Sequence, residues 1–73
     1  MNLERISSVH YTGDHWYNNT HFDNYIVELD GHDKPYKLTV RYSQLFFKLA
    51  IGDTISCTIA EDRLKNVKVL NEI

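Results

Sequence analysis

This 73-residue chain is short of the residues that usually staple or punctuate a small fold: one cysteine, one proline and three glycines. A lone Cys57 excludes an intramolecular disulfide framework and any cysteine-rich zinc site. So little proline and glycine excludes collagen-like and low-complexity chains. No apolar run approaches the ~18–20 residues of a membrane-spanning helix, so no membrane partner is expected. Met1 to Tyr11 lacks the apolar core of a secretory leader. Together with the free thiol, that points to a reducing, cytoplasmic setting. Without a leader, the match of Asn18-Asn19-Thr20 to a glycosylation site carries no weight. The chain has no glycine-rich phosphate loop, and Ser7, Ser8, Ser43 and Ser56 lack a nucleophile-elbow or triad context. The expectation is a protein with no catalytic residues and no cofactor.

What remains is one small domain, residues 1–73, with no repeat or linker. A chain this short buries only about 60% of its unfolded surface, so its core must pack well. Trp16, five tyrosines and three phenylalanines help, because each ring can bury a large area. A homo-oligomer is compatible with the same reasoning.

The strongest local signal is period-2 alternation, which marks half-buried strands. Tyr25, Val27 and Leu29 alternate with Ile26, Glu28 and Asp30. Tyr36, Leu38, Val40 and Tyr42 alternate with Lys37, Thr39 and Arg41. Ile55, Cys57 and Ile59 alternate with Ser56, Thr58 and Ala60, which places Cys57 in the core rather than in the role of a nucleophile. Val67 and Val69 alternate with Asn66, Lys68 and Leu70. A fifth strand, about Arg5 to Thr12, alternates less cleanly, because Ile6 and Val9 can share a face only across a bulge. Asp30 to Pro35 reads as a hairpin turn, and Glu61-Asp62-Arg63 as a break between two more strands. Ser43 to Ala50 is continuously apolar. Leu45, Phe46 and Leu49 would share one face of a two-turn helix capped by Ser43 and stopped near Gly52.

The order is therefore strand, long loop, strand, hairpin, strand, short helix, strand, tight turn, strand. This order, with the helix-to-strand junction Leu49-Ala50-Ile51-Gly52-Asp53-Thr54-Ile55, resembles the OB-fold. That resemblance implies an all-β, five-stranded antiparallel barrel with one short helix between the third and fourth strands. The alternative is an SH3-like barrel with residues 43–50 as an irregular insertion.

Gly13 to Asn24 reads as the long loop between the first two strands, and long loops in small domains are often functional. It displays Trp16, Tyr17 and Phe22. Either these rings plug the end of a barrel or they offer a flat surface to a ligand. The charge is uneven: residues 1–33 are net −5, and residues 34–52 are net +4. The resemblance implies oligonucleotide binding across strands two and three and between the flanking loops. The site residues would then be Trp16 and Tyr17 for base stacking, with Lys37, Thr39, Arg41, Arg63 and Lys65 for the phosphates. The acids around the loop (Asp14, Asp23, Glu28, Asp30, Asp33) suit a protein partner instead, in a small subunit, adaptor or inhibitor that uses the same loop. His15, His21 and Asp23 are the best candidates for a metal, but they lack helical i, i+4 spacing, and no metal is expected. The expectation is thus a non-catalytic binding module for single-stranded nucleic acid or, alternatively, for a protein.

Overall fold

The computed structural model describes residues 2–41 and 49–70. These form five strands: β1 (Asn2–Tyr17), β2 (Thr20–Leu29), β3 (Tyr36–Arg41), β4 (Thr54–Ala60) and β5 (Arg63–Leu70). All five belong to one sheet. β1 pairs antiparallel with β2 along most of its length, and with β4 over Asn2–Arg5. β2 pairs antiparallel with β3, and β4 with β5. β3 meets β5 in parallel at Lys37 and Arg63. No helix occurs among the described residues. The helix expected over residues 43–50 lies mostly outside them, and Leu49 and Ala50 are irregular.

The segment expected as a long loop, Gly13 to Asn24, is mostly strand. β1 runs on to Tyr17 and β2 begins at Thr20, leaving only Asn18 and Asn19 as the turn. Both have left-handed φ angles, 52° and 60°. Two such residues in succession define the type I′ turn, whose twist matches that of the flanking strands. Asparagine tolerates this conformation better than most residues with a Cβ. The turn thus overrides the polar character of the segment and continues the ladder Trp16–His21, His15–Phe22 and Asp14–Asp23.

The alternation read from the sequence defines the core. Val27, Leu29, Tyr36, Leu38, Ile55 and Cys57 are buried, and Tyr25, Val40, Ile59, Val67 and Val69 pack against them. Ile6 is buried and Val9 packs on the same cluster. A register shift between Ile6 and Ser8 makes this possible, as the sequence required. A second shift, between Tyr11 and Gly13, sits where Gly13 has a φ of 131°. A third falls between Ser56 and Thr58, opposite Asn66 at a φ of 54°. It inserts one residue into β5, so Leu64 and Val67 both reach the core although they are three apart. Leu64 is the one fully buried core residue the alternation did not anticipate.

Side chains also tie the strands together. His32 Nδ1 and the Tyr36 hydroxyl are 2.8 Å apart, and His32 Nε2 lies 3.1 Å from Glu4 Oε1. This bridge joins the β2–β3 turn to the start of β1. Lys37 N–H donates to the Asp62 carbonyl at 2.7 Å, fastening β3 to the β4–β5 turn.

Two outcomes are expected. Asn19→Val should lower the stability by about 1–2 kcal/mol, and Asn19→Gly should leave it equal or higher, both read from thermal unfolding. Burial pushes the Cys57 thiol above its ordinary pKa, and the nearby Glu4 carboxylate adds to the effect. Cys57 should therefore react with a thiol reagent at the rate of global opening, and promptly in denaturant. Prompt reaction in the native protein would contradict its place in the core.

Candidate ligand-binding face

The type I′ turn decides which residues share a face. Side chains alternate across a strand, so the paired sets Tyr17–Thr20, His15–Phe22, Gly13–Asn24 and His10–Ile26 lie on one side. β3 continues that side with Arg41 opposite Phe22, Thr39 opposite Asn24 and Lys37 opposite Ile26. Arg63 joins it through its pairing with Lys37. Lys65 is exposed two residues further along, with the buried Leu64 between. The face looks away from the core formed by Val27, Leu29, Tyr36 and Leu38.

A row of hydrogen bonds crosses four strands on this face. Arg63 Nη1 donates to Thr39 Oγ1 at 3.2 Å, and the Thr39 hydroxyl donates to Asn24 Oδ1 at 2.8 Å. Asn24 Nδ2 donates to the Gly13 carbonyl at 3.3 Å and to His15 Nδ1 at 2.8 Å. Every polar atom of the Asn24 amide is therefore occupied, which settles its orientation. The row holds Arg63 above β3 by a hydroxyl rather than a carboxylate, leaving the guanidinium without a neutralising partner in that bond. Lys37 is partly neutralised by Asp62 at 3.6 Å, but both side chains are more than half exposed, so the pair is weak.

Two shallow clefts flank the Thr39–Arg63 bond. One, of about 410 Å³, lies between β3 and β5 where the strands diverge beyond their single pairing, and Val40, Lys65 and Val67 help to line it. The other, of about 280 Å³, lies over Asn24, Ile26 and Lys37. Both share Leu38, Thr39 and Arg63. At the hairpin end of the face, His15 stacks on Phe22 with ring centroids 5.3 Å apart and planes 18° from parallel. Tyr17 stands beyond them, 69% exposed.

The structure places Tyr17, Lys37, Thr39, Arg41, Arg63 and Lys65 from the expected site on one side of the sheet, with Tyr17 at its hairpin end and Lys37 and Arg63 at the other. It does not bring Trp16 with them. Trp16 pairs with His21 and lies on the reverse of the hairpin, where it stacks on the His21 ring at 4.6 Å, 3° from parallel. It is 70% exposed, so it does not plug the core. Asp14 and Asp23 share that reverse side, as do Tyr11 and Tyr25, which meet edge to face. The acids closest to the expected loop are thereby separated from the basic face by the thickness of the sheet. Glu28, on the same side of β2, and Asp62, beside Lys37, border the basic side at the end away from Tyr17. Sequence reasoning missed Asn24 and considered His15 only as a metal ligand. The signal that finds them is the Asn18-Asn19 pair, because a two-residue turn assigns both to the same face as Thr39.

Among the described residues, no group of three or more His, Cys, Asp or Glu is placed to hold a metal ion. His15 and His21 fall on opposite sides of the hairpin. Nor is any helix there long and apolar enough to cross a membrane. No protein-family description matches the chain, and neither a curated protein nor a solved structure is significantly similar to it.

The hydrogen bond between His21 Nε2 and Asp14 Oδ2, at 2.5 Å, holds the Asp14 carboxyl below its ordinary pKa of 3.8. A lowered carboxyl pKa stabilises the fold above the unfolded value, and that stabilisation is lost as pH falls below it. The hairpin should therefore loosen on acidification below about pH 4. Asp14→Asn should flatten that part of the acid unfolding curve, followed by Trp16 fluorescence. An unchanged curve would show that the contact does not stabilise the fold.

Proposed function

We propose that the five strands form an OB-like barrel and that the protein is a non-catalytic module binding single-stranded nucleic acid across the β2–β3 face. The pairing order β1-β2-β3-β5-β4, with β1 also bonded to β4, supports the barrel. So does the parallel contact between β3 and β5, since all other pairings are antiparallel. In such a barrel, ligands lie across the second and third strands and between the β1–β2 and β4–β5 connections. Those connections here are the turns Asn18-Asn19 and Glu61-Asp62.

The observation that carries the function is the segregation of charge by face. Lys37, Arg41, Arg63 and Lys65 share one side with Tyr17 and the Phe22–His15 stack, while Asp14 and Asp23 lie on the other. Cations spaced along the strands match a phosphate backbone, and rings at one end match unstacked bases. The chain's net charge of −2 therefore overstates the repulsion a ligand meets on this face. Thr39, Asn24 and His15 add hydroxyl, amide and imidazole groups that can hydrogen-bond base edges. The buried Cys57, with its thiol pushed up, is unsuited to nucleophilic chemistry, in keeping with a binding role.

The test is fluorescence anisotropy of a labelled 12-nucleotide single strand over a range of salt concentrations. Binding should weaken log-linearly with salt. Lys37→Ala with Arg41→Ala should reduce the slope by about 0.7 for each phosphate that is no longer neutralised. Tyr17→Ala should cost about 1–3 kcal/mol if a base stacks there, whereas Trp16→Phe on the reverse side should bind as the parent does. No anisotropy change at low salt, with either DNA or RNA, would falsify the reading.

A further inference from the structure

The reverse side of the hairpin carries a second surface, one that the nucleic-acid reading does not use. β1 has two edges. One pairs with β2 from Ile6 to Tyr17. The other pairs with β4 over Asn2–Arg5, and at Ile6 it bonds the backbone of Gly52 and Asp53. Among the described residues, that second edge has no strand partner from Ser7 to Tyr17. Tyr17 and Thr20 close a two-residue turn, so their backbone groups face each other and those of Trp16 and Asp14 point outward. Beyond the bulge the alternation resumes at Tyr11 and Val9. An open row of N–H and C=O groups is a template for one more strand.

The residues along this edge define what would dock. Trp16 and Tyr11 are 70% and 57% exposed, the largest exposed rings on that side of the sheet. Asp14 lies between them in sequence. Asp23 lies opposite Asp14 on β2, where its Oδ1 accepts a bond from the Tyr11 hydroxyl at 3.4 Å. No lysine or arginine falls on β1 or β2 between Ser7 and Leu29. A strand added here meets rings and carboxylates. Lysine or arginine on alternate positions would satisfy both, by ion pairing and by cation–π contact.

We propose that the Ser7–Tyr17 edge of β1 is a docking site for an extended, basic segment of a partner protein. The segment adds antiparallel or parallel as a sixth strand and sets its cationic side chains over Tyr11, Asp14, Asp23 and Trp16. Backbone bonds supply the affinity, and the alternate side chains supply selectivity. The side chains proposed to meet the cationic residues, Tyr11, Asp14, Asp23 and Trp16, all lie on the reverse of the hairpin, so none of them belongs to the nucleic-acid face, although the edge itself also carries His15 and Tyr17.

The experiment uses the full chain, isotope-labelled, at pH 7.5. The probe is a synthetic peptide alternating lysine with threonine or valine. A matched peptide with glutamate in place of lysine serves as control, as does a lysine peptide methylated on alternate backbone nitrogens. The lysine peptide should shift the amide resonances of Tyr11, Asp14 and Trp16 and protect those of Asp14 and Trp16 from hydrogen exchange. The glutamate and N-methylated peptides should bind about tenfold more weakly or not at all. Asp14→Asn with Asp23→Asn should weaken the lysine peptide by a similar factor, while leaving the core resonances in place. Equal binding of the lysine and glutamate peptides would overturn the proposal. So would shifts confined to Lys37, Thr39 and Arg41, or protection of the Asp14 and Trp16 amides by self-association without peptide.

Discussion

Two consecutive left-handed residues, Asn18 and Asn19, set the arrangement of the whole upper half of this protein. A turn of two residues admits one register between its strands. A slip of one would exchange the faces of every side chain it connects. With the turn in place, Phe22, Asn24 and Ile26 face one way and His21, Asp23 and Tyr25 the other. The basic face, the acidic reverse and the hydrogen-bonded row from His15 to Arg63 all follow from that choice. The bulge at Gly13 then adjusts the phase of β1 so that Val9 still reaches the core below.

The polar row has a different part from the core beneath it. The core is an ordinary packing of aliphatic residues and Tyr36, needed in a chain too small to spare any of it. The row joins strands that the backbone ladder joins poorly, above all β3 and β5, which share a single paired position. Thr39 and Arg63 bridge that seam with side chains. A ligand lying across the seam would therefore meet groups already held in place, and would lose less side-chain freedom on binding than loose lysines would require.

Much of this was legible in the residues. Period-2 alternation located β3, β4, the Tyr25–Leu29 half of β2 and most of β5, and identified most of the core. The conflict between Ile6 and Val9 correctly demanded a bulge. The error lay at Gly13 to Asn24, where polar composition suggested a loop. Composition reports solvent exposure, and neither face of this hairpin is fully buried, so alternation of hydrophobicity vanishes although the strands persist. The asparagine pair was the surviving clue. The same cause split Trp16 from Tyr17: neighbours in a loop can point together, but neighbours in a strand cannot. Leu64 was missed because the bulge at Asn66 breaks the period that leads back to it.

β1 also divides the assembly of the molecule in time. Its distal part pairs with a strand joined to it by two residues, so that hairpin can close within a local search. Its first four paired residues, Asn2–Arg5, instead meet Thr54–Cys57, some fifty positions away. That contact closes almost the whole chain into a loop, so its entropic cost is the largest of the strand pairings. One continuous strand thus has an early end and a late end, and the buried Ile6 lies at the junction. The N-terminal residues carry the least local pairing in the sheet, although their side chains are mostly exposed.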